Sequence, residues 1–218
     1  VEKEKLGGVC LNWGCIPTKG LLGSSGLLNA LSSAEELGIL VGKPEPDLEA
    51  IFRCKEQVVD RLMSGVERLL KKREVTVYQG TATMTAGDSV SVRGPDGALE
   101  LSCDRLILAT GSSPIIPSGL PFDGRIVMST REALSSSRIP DSVLVVGAGA
   151  VGCEFAGFYA ALGRAVTLVE MLPEILPGED ASAVRLLKAS MKRRGIDVRT
   201  GTRGVSINVE DDDAASVL

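Results

Sequence analysis

A chain of 218 residues, 44% apolar and 24% charged, can bury a sizeable core and hold one large domain or two modest ones. A net charge of −4, scattered basic residues and only 3% aromatics exclude the basic footprint and base-stacking surfaces of a nucleic-acid binder. Five cysteines, three of them dispersed at Cys54, Cys103 and Cys153, do not make an extracellular disulfide framework, so a reducing compartment is expected, cytoplasm or organellar matrix, and not secretion.

The chain opens on Val1, which predicts that an N-terminal segment is missing, and almost at once reaches GGVCLNWGCIPTK at residues 7–19. Cys10 and Cys15 are separated by four residues, and Pro17 suits the first turn of a helix, where its missing N–H is not needed. Cys15 then stands at a helix N-terminus, whose free N–H groups and dipole favour a thiolate and are expected to lower its pKa. Two neighbouring thiols, one so activated, are what thiol–disulfide exchange requires. A zinc site would need about four ligands, and the chain has no histidine and no second cysteine pair. A purely structural disulfide is the other alternative. The three dispersed cysteines are expected to be small core or half-buried residues.

This string resembles the redox-disulfide segment of the flavin-dependent pyridine nucleotide–disulfide oxidoreductases (class I), most of all the dihydrolipoamide dehydrogenase branch. The resemblance implies that Cys10 exchanges with the substrate disulfide, that Cys15 lies as a thiolate against the flavin, and that Lys19 sits beside it. It implies an α/β fold of two Rossmann-like domains, FAD-binding over residues 1–115 and NAD-binding over 116–218, with parallel sheets and a small antiparallel meander, both incomplete.

Further along, residues 16–34 predict a helix, although Gly20, Gly23 and Gly26 each cost about 1 kcal/mol against alanine. Asp47 is placed to cap a second helix reaching Lys72, with Ile51, Val58, Leu62, Val66 and Leu69 as its apolar stripe. Between residues 75 and 109 the period becomes that of strands: 75–78, 81–85, 89–92, 98–102 and 105–109, with turns at Gly87-Asp88 and Pro95-Asp96-Gly97. By resemblance, Ala82 gives backbone contacts to the FAD adenine, and Thr110, Gly111 and Ser112 pack near the FAD. Pro114, Pro117, Pro121 and Pro140 punctuate a crossover that contains the domain boundary.

Residues 142–146 read as a buried strand running into Gly147-Ala-Gly149-Ala-Val-Gly152 and a helix to about Leu162. A second strand follows at 165–169, with Glu170 lying 21 positions beyond Gly149. This is the full context of a dinucleotide fingerprint. Gly147 permits the turn, Gly149 the approach of the pyrophosphate, and Gly152 close helix–strand packing. The pyrophosphate would rest on the helix N-terminus, and Glu170 would accept from the adenosine ribose and repel a 2′-phosphate, so NAD is expected. The strand, turn and Glu154 argue against a membrane span over 142–163. Asp180 starts a further helix to Arg194, a third parallel strand follows at 196–199, and the whole predicts a doubly wound sheet. The acidic run 210–213 reads as a solvated turn.

Glu154 sits within an apolar helix, where an unpaired carboxylate is costly to bury. The resemblance pairs it with Lys19 beside the flavin; an exposed surface glutamate is the alternative. The resemblance further implies electron flow from dihydrolipoamide, carried on a lipoyl protein or as a small dithiol, through Cys10–Cys15 and FAD to NAD⁺, in a homodimer. Another disulfide reductase such as mercuric reductase, or a non-catalytic NAD-binding module, are the alternatives. The family's first FAD fingerprint, its ribityl-binding aspartate and its histidine base are not found in these residues, so the chain alone is expected not to turn over dihydrolipoamide.

Overall fold

The computed structural model describes the chain except residues 96, 117–119, 204–205, 210–214 and 218. Asp96, Pro117 and the acidic run 210–213 therefore lie outside the described residues.

Two helices, α1 (Gly8–Trp13) and α2 (Cys15–Ser32), meet at Gly14, and α3 (Leu48–Lys72) packs against α2. The first of these was not expected from sequence: six residues flanked by glycines give no usable periodicity. The α3 helix has the expected bounds, and the Asp47 carboxylate accepts from the Ala50 N–H at 2.9 Å. Its inward face differs from the expected stripe. Phe52, Lys55 and Val59 are buried, and of the expected stripe Ile51 packs against the core and Val66 is half-buried, whereas Val58, Leu62 and Leu69 are exposed. The buried face is chosen by α2, and Gly20 shows how: a Cβ there would lie 3.2 Å from Lys55 Cγ, so the helices close over that side chain. Gly23 and Gly26 meet nothing within 4 Å.

Strands β1 (Thr81–Ala86), β2 (Ser89–Gly94) and β3 (Gly97–Ser102) form an antiparallel meander in order β1-β2-β3, with Val90 and Val92 buried. Residues 75–78 and 105–109 form no strands. A strand needs a neighbouring ladder, and the first segment has only an isolated bridge from Glu2 to Gln79 beside it. In the second, Ile107 is 87% exposed.

A short helix α4 (Thr130–Ala133) carries a capping box between Ser129 and Glu132. Strands β4 (Ser142–Val146), β5 (Ala165–Val169) and β6 (Asp197–Arg199) then pair in parallel in that order, linked by α5 (Ala150–Ala161) and α6 (Ala181–Arg193). Right-handed crossovers with strands in sequence order put both helices on one face, and their buried Phe155, Phe158, Tyr159, Val184 and Met191 share one cluster with Val166 and Leu168. The winding among the described residues is thus single, not double. Leu144 and Val146 consequently lie partly exposed, so β4 is half-buried where a buried strand was expected. Strands β7 (Ile207–Val209) and β8 (Ala215–Val217) add an antiparallel pair. Leu21, Phe52 and Leu134 join the same core as α5, which packs α2 directly on the second half of the chain. Among the described residues no helix is long and apolar enough to cross a membrane.

Candidate redox and dinucleotide site

The two cysteines are brought together by glycines whose hydrogen is required. Gly7 has φ +104, a left-handed conformation, and a Cβ there would fall 2.1 Å from Leu11 Cδ2. At Gly14 a Cβ would meet Cys10 Cα and the Val9 carbonyl oxygen at 3.1 Å. Asn12 closes the entry to α1: its Nδ2 donates to the carbonyls of Leu6 and Gly8, each at 3.0 Å, while its buried Oδ1 has no partner. The hydroxyl of Thr18 donates to the Gly14 carbonyl at 2.7 Å, fixing the first turn of α2.

Cys10 and Cys15 are both exposed free thiols in side-chain hydrogen-bond contact. Cys15 opens α2, as expected, but its pKa moves upward from the ordinary value. The side-chain hydrogen bond with Cys10 is the largest cause, followed by desolvation and the Cys10 charge; its own backbone N–H and Lys19 act in the opposite sense. The helix end is therefore outweighed by the second thiol, first because the hydrogen bond with Cys10 favours the protonated Cys15, and also because a charge on the adjoining sulfur opposes a second one. The other cysteines divide: Cys153 is buried, its thiol pushed up to about 11 by desolvation first and then by Glu154 and Glu170, Cys103 is half-buried, and Cys54 is exposed. The expectation that all three are core or half-buried fails at Cys54, which lies on the outer face of α3.

Lys19 lies one turn beyond Cys15 on the same face of α2, and its Nζ forms an ion pair with Glu154 Oε1 on α5, the side chains 60% and 30% exposed. The contact spans 135 positions of sequence. Beside it runs a groove of about 350 Å³ lined by Leu22, Ala150, Cys153, Glu154, Gly157, Leu176, Leu187 and Arg194.

The same α5 begins at the glycine loop. Gly147 has φ +100 and its N–H donates to the Val169 carbonyl at 2.8 Å. Gly149 is the N-cap, with no side chain over the helix end and open space where a Cβ would stand. Gly152 could not be otherwise: a Cβ would fall 1.8 Å from the Gly147 carbonyl oxygen. A bare, unobstructed helix N-terminus behind a glycine turn fits a pyrophosphate. Glu170 is only 8% exposed; its Oε2 accepts from the Ala148 N–H at 2.8 Å and its Oε1 from the Leu172 N–H at 2.9 Å. It therefore braces the loop, and with two of about four acceptor positions used it can still accept from a ribose. Of the remaining sequence-derived residues, Gly111 has φ +76 and comes beside Val9 of α1, whereas Ala82 lies exposed on β1, and Thr110 and Ser112 lie exposed on the segment after residue 109.

Three contacting residues were missed from sequence. Arg131 stacks on Trp13, and Lys55, 3% exposed, donates to the Leu134 carbonyl at 2.6 Å. Only the Ser129-to-Glu132 spacing, a capping-box signature, pointed to the element that positions Arg131.

A family profile described as pyridine nucleotide-disulphide oxidoreductase matches residues 1–218. The dihydrolipoyl dehydrogenase of Chlorobaculum tepidum is 41% identical over 219 residues, covering 100% of this chain and 47% of the relative. That of Bacillus subtilis is 38% identical over 205 residues, covering 93% and 45%. The crystal structure of LpdA from Mycobacterium tuberculosis matches with a TM-score of 0.87 at 26% identity, covering 100% of this chain and 50% of that one. The chain spans about half the length of the relatives it matches.

Proposed function

The chain belongs to the pyridine nucleotide-disulphide oxidoreductase family, and on that premise we propose that it carries the redox-disulfide and NAD-binding parts of a flavoprotein that oxidises dihydrolipoamide with NAD⁺. One observation carries the reading. The helix that the thiol pair opens, α2, packs on the helix that begins at the glycine loop, and the ion pair Lys19–Glu154 links the two between those sites. In this reading residues 1–115 belong to an FAD-binding domain and 116–218 to an NAD-binding domain.

A substrate thiolate attacks the Cys10 sulfur of the Cys10–Cys15 disulfide, forming a mixed disulfide and releasing Cys15 as a thiolate. The second substrate thiol, once deprotonated, attacks its neighbour's sulfur, closes the substrate disulfide and releases Cys10. Two electrons have then passed to the protein sulfurs. Bound FAD would supply the two-electron relay from sulfur to nicotinamide. Lys19 supplies positive charge one helical turn from Cys15 and favours its thiolate, the sense in which it acts on that group here. Glu154 holds that ammonium in place. Ala82, Thr110, Gly111 and Ser112 are the residues of this chain that would adjoin the FAD. Gly147, Gly149 and Gly152 would seat the NAD pyrophosphate, and Glu170 the ribose. The substrate is a lipoyl-bearing protein or a small dithiol, the intact protein is a homodimer, and its compartment is reducing.

The test is an absorbance spectrum of the purified chain with FAD and two electrons of dithionite. A long-wavelength band that disappears in Cys15→Ser is the expected result, since it requires a Cys15 thiolate against a bound flavin. A spectrum of free flavin in both proteins would refute flavin binding by these residues.

A further inference from the structure

Arg131 belongs neither to the thiol pair nor to the glycine loop, yet it grips both sides of the segment that carries Cys10. Its guanidinium carbon lies 3.9 Å from the centre of the Trp13 ring, and its Nη2 donates to Glu4 Oε2 at 2.9 Å. Trp13 closes α1, between the two cysteines, and Glu4 lies on the segment leading into that helix.

The six-residue α1 has no side-chain cap and is too short to be stable alone. Its position is set by what it leans on. Arg131, in contrast, projects from a fixed element: α4 is held by its capping box, its neighbour Leu134 is 2% exposed, and the Leu134 carbonyl accepts from the buried Lys55 ammonium. A planar guanidinium can stack on an indole and pair with a carboxylate at once.

We propose that Arg131 is a positioning residue of the redox pair: stacked on Trp13 and paired with Glu4, it holds α1 where Cys10 meets Cys15, and so favours closure of the disulfide. This inference rests on the thiol–disulfide exchange proposed above. Closure removes one proton and one electron from each thiol and joins the sulfurs, and glutathione disulfide takes up both electrons and both protons to become two molecules of glutathione. A disulfide tolerates Cα separations of only about 4.4–6.8 Å, so displacement of α1 acts directly on that equilibrium.

The experiment equilibrates the chain in glutathione buffers of graded ratio and counts the oxidised Cys10–Cys15 pair by alkylation and mass spectrometry. Trp13 is the sole tryptophan, so its emission reports the stack in the same samples. In Arg131→Ala the emission shifts to the red, and the equilibrium moves towards the dithiol by roughly threefold to tenfold. Arg131→Lys falls between, because an ammonium keeps the charge without the plane. Glu4→Gln leaves the core untouched and moves the equilibrium less, in the same direction; it decides the matter if Arg131→Ala does not fold. An equilibrium within about twofold of the wild type, despite a shifted emission, overturns the positioning role alone. A wild-type chain that never forms the Cys10–Cys15 disulfide overturns the exchange reading, and this inference with it, before any variant is made.

Discussion

The glycine loop and the redox helices are each built on glycine, but they are held by different physics. In the loop, local sterics decide. Gly147 must have positive φ, and Gly152 has no room for a single carbon, because the atom it would strike is a backbone oxygen of the same turn. In the redox segment Gly7 and Gly14 permit the turns, but α1 owes its place to side chains arriving from elsewhere: Arg131 on Trp13, and α4 in turn hung from Lys55. A site fixed by its own backbone is robust to distant change. One fixed by long-range contacts can be tuned from a distance.

That contrast can be broken most forcefully at Gly152. Gly152→Ala is expected to cost more than about 3 kcal/mol, because the clash is with backbone that cannot rotate away; a urea midpoint equal to wild type would refute the steric account. Lys55→Met keeps the aliphatic stem but leaves the Leu134 carbonyl without its donor, at about 1–3 kcal/mol. In that variant Trp13 emission should change while the NAD binding proposed for the glycine loop is kept, and loss of that binding with unchanged emission would reverse the distinction between the two regions.

Electrostatics within the thiol pair give a smaller, sharper test. Cys10→Ala removes the largest cause of the upward shift at Cys15, the side-chain hydrogen bond, together with the charge of the second sulfur. The Cys15 thiolate then forms at lower pH, and its alkylation at pH 8 should quicken about threefold or more, with the rate-versus-pH curve displaced downward. A curve unmoved by the substitution would show that Cys10 does not govern Cys15. The smallest effect is expected at Glu154→Gln. With side chains 60% and 30% exposed, the Lys19–Glu154 pair is screened by solvent and should contribute under about 1 kcal/mol, diminishing with salt. A larger, salt-independent loss would mean that the pair bears on packing between α2 and α5.

Legibility followed the same division. The bounds of β4 and β5 were readable because their β-branched runs do find a ladder in one another, and the Asp47 cap of α3 and the start of α6 at Asp180 because each depends on neighbours within a few residues. The glycine fingerprint was readable for the same reason. The strands expected at 75–78 and 105–109 had the right composition and no ladder to join. The α3 stripe was assigned to Ile51, Val58, Leu62, Val66 and Leu69; Ile51 does pack against the core and Val66 is half-buried, but Val58, Leu62 and Leu69 are exposed while Phe52, Lys55 and Val59 went inward, since an amphipathic helix rich in apolar residues offers more than one face and its partner selects among them. The upward shift at Cys15 was missed because a helix end is visible in sequence and a hydrogen bond between side chains is not.

The sequence by itself determined the glycine loop, the order β4, α5, β5, α6 and β6 in the second half, and the placing of the two cysteines around a helix start, because backbone sterics and short-range periodicity are local. Only the tertiary structure decided that α1 forms, that Lys55 is buried and that Arg131 lies on Trp13. Those contacts join residues far apart in the chain, and burial, which ranks competing partners, exists only once the helices have packed.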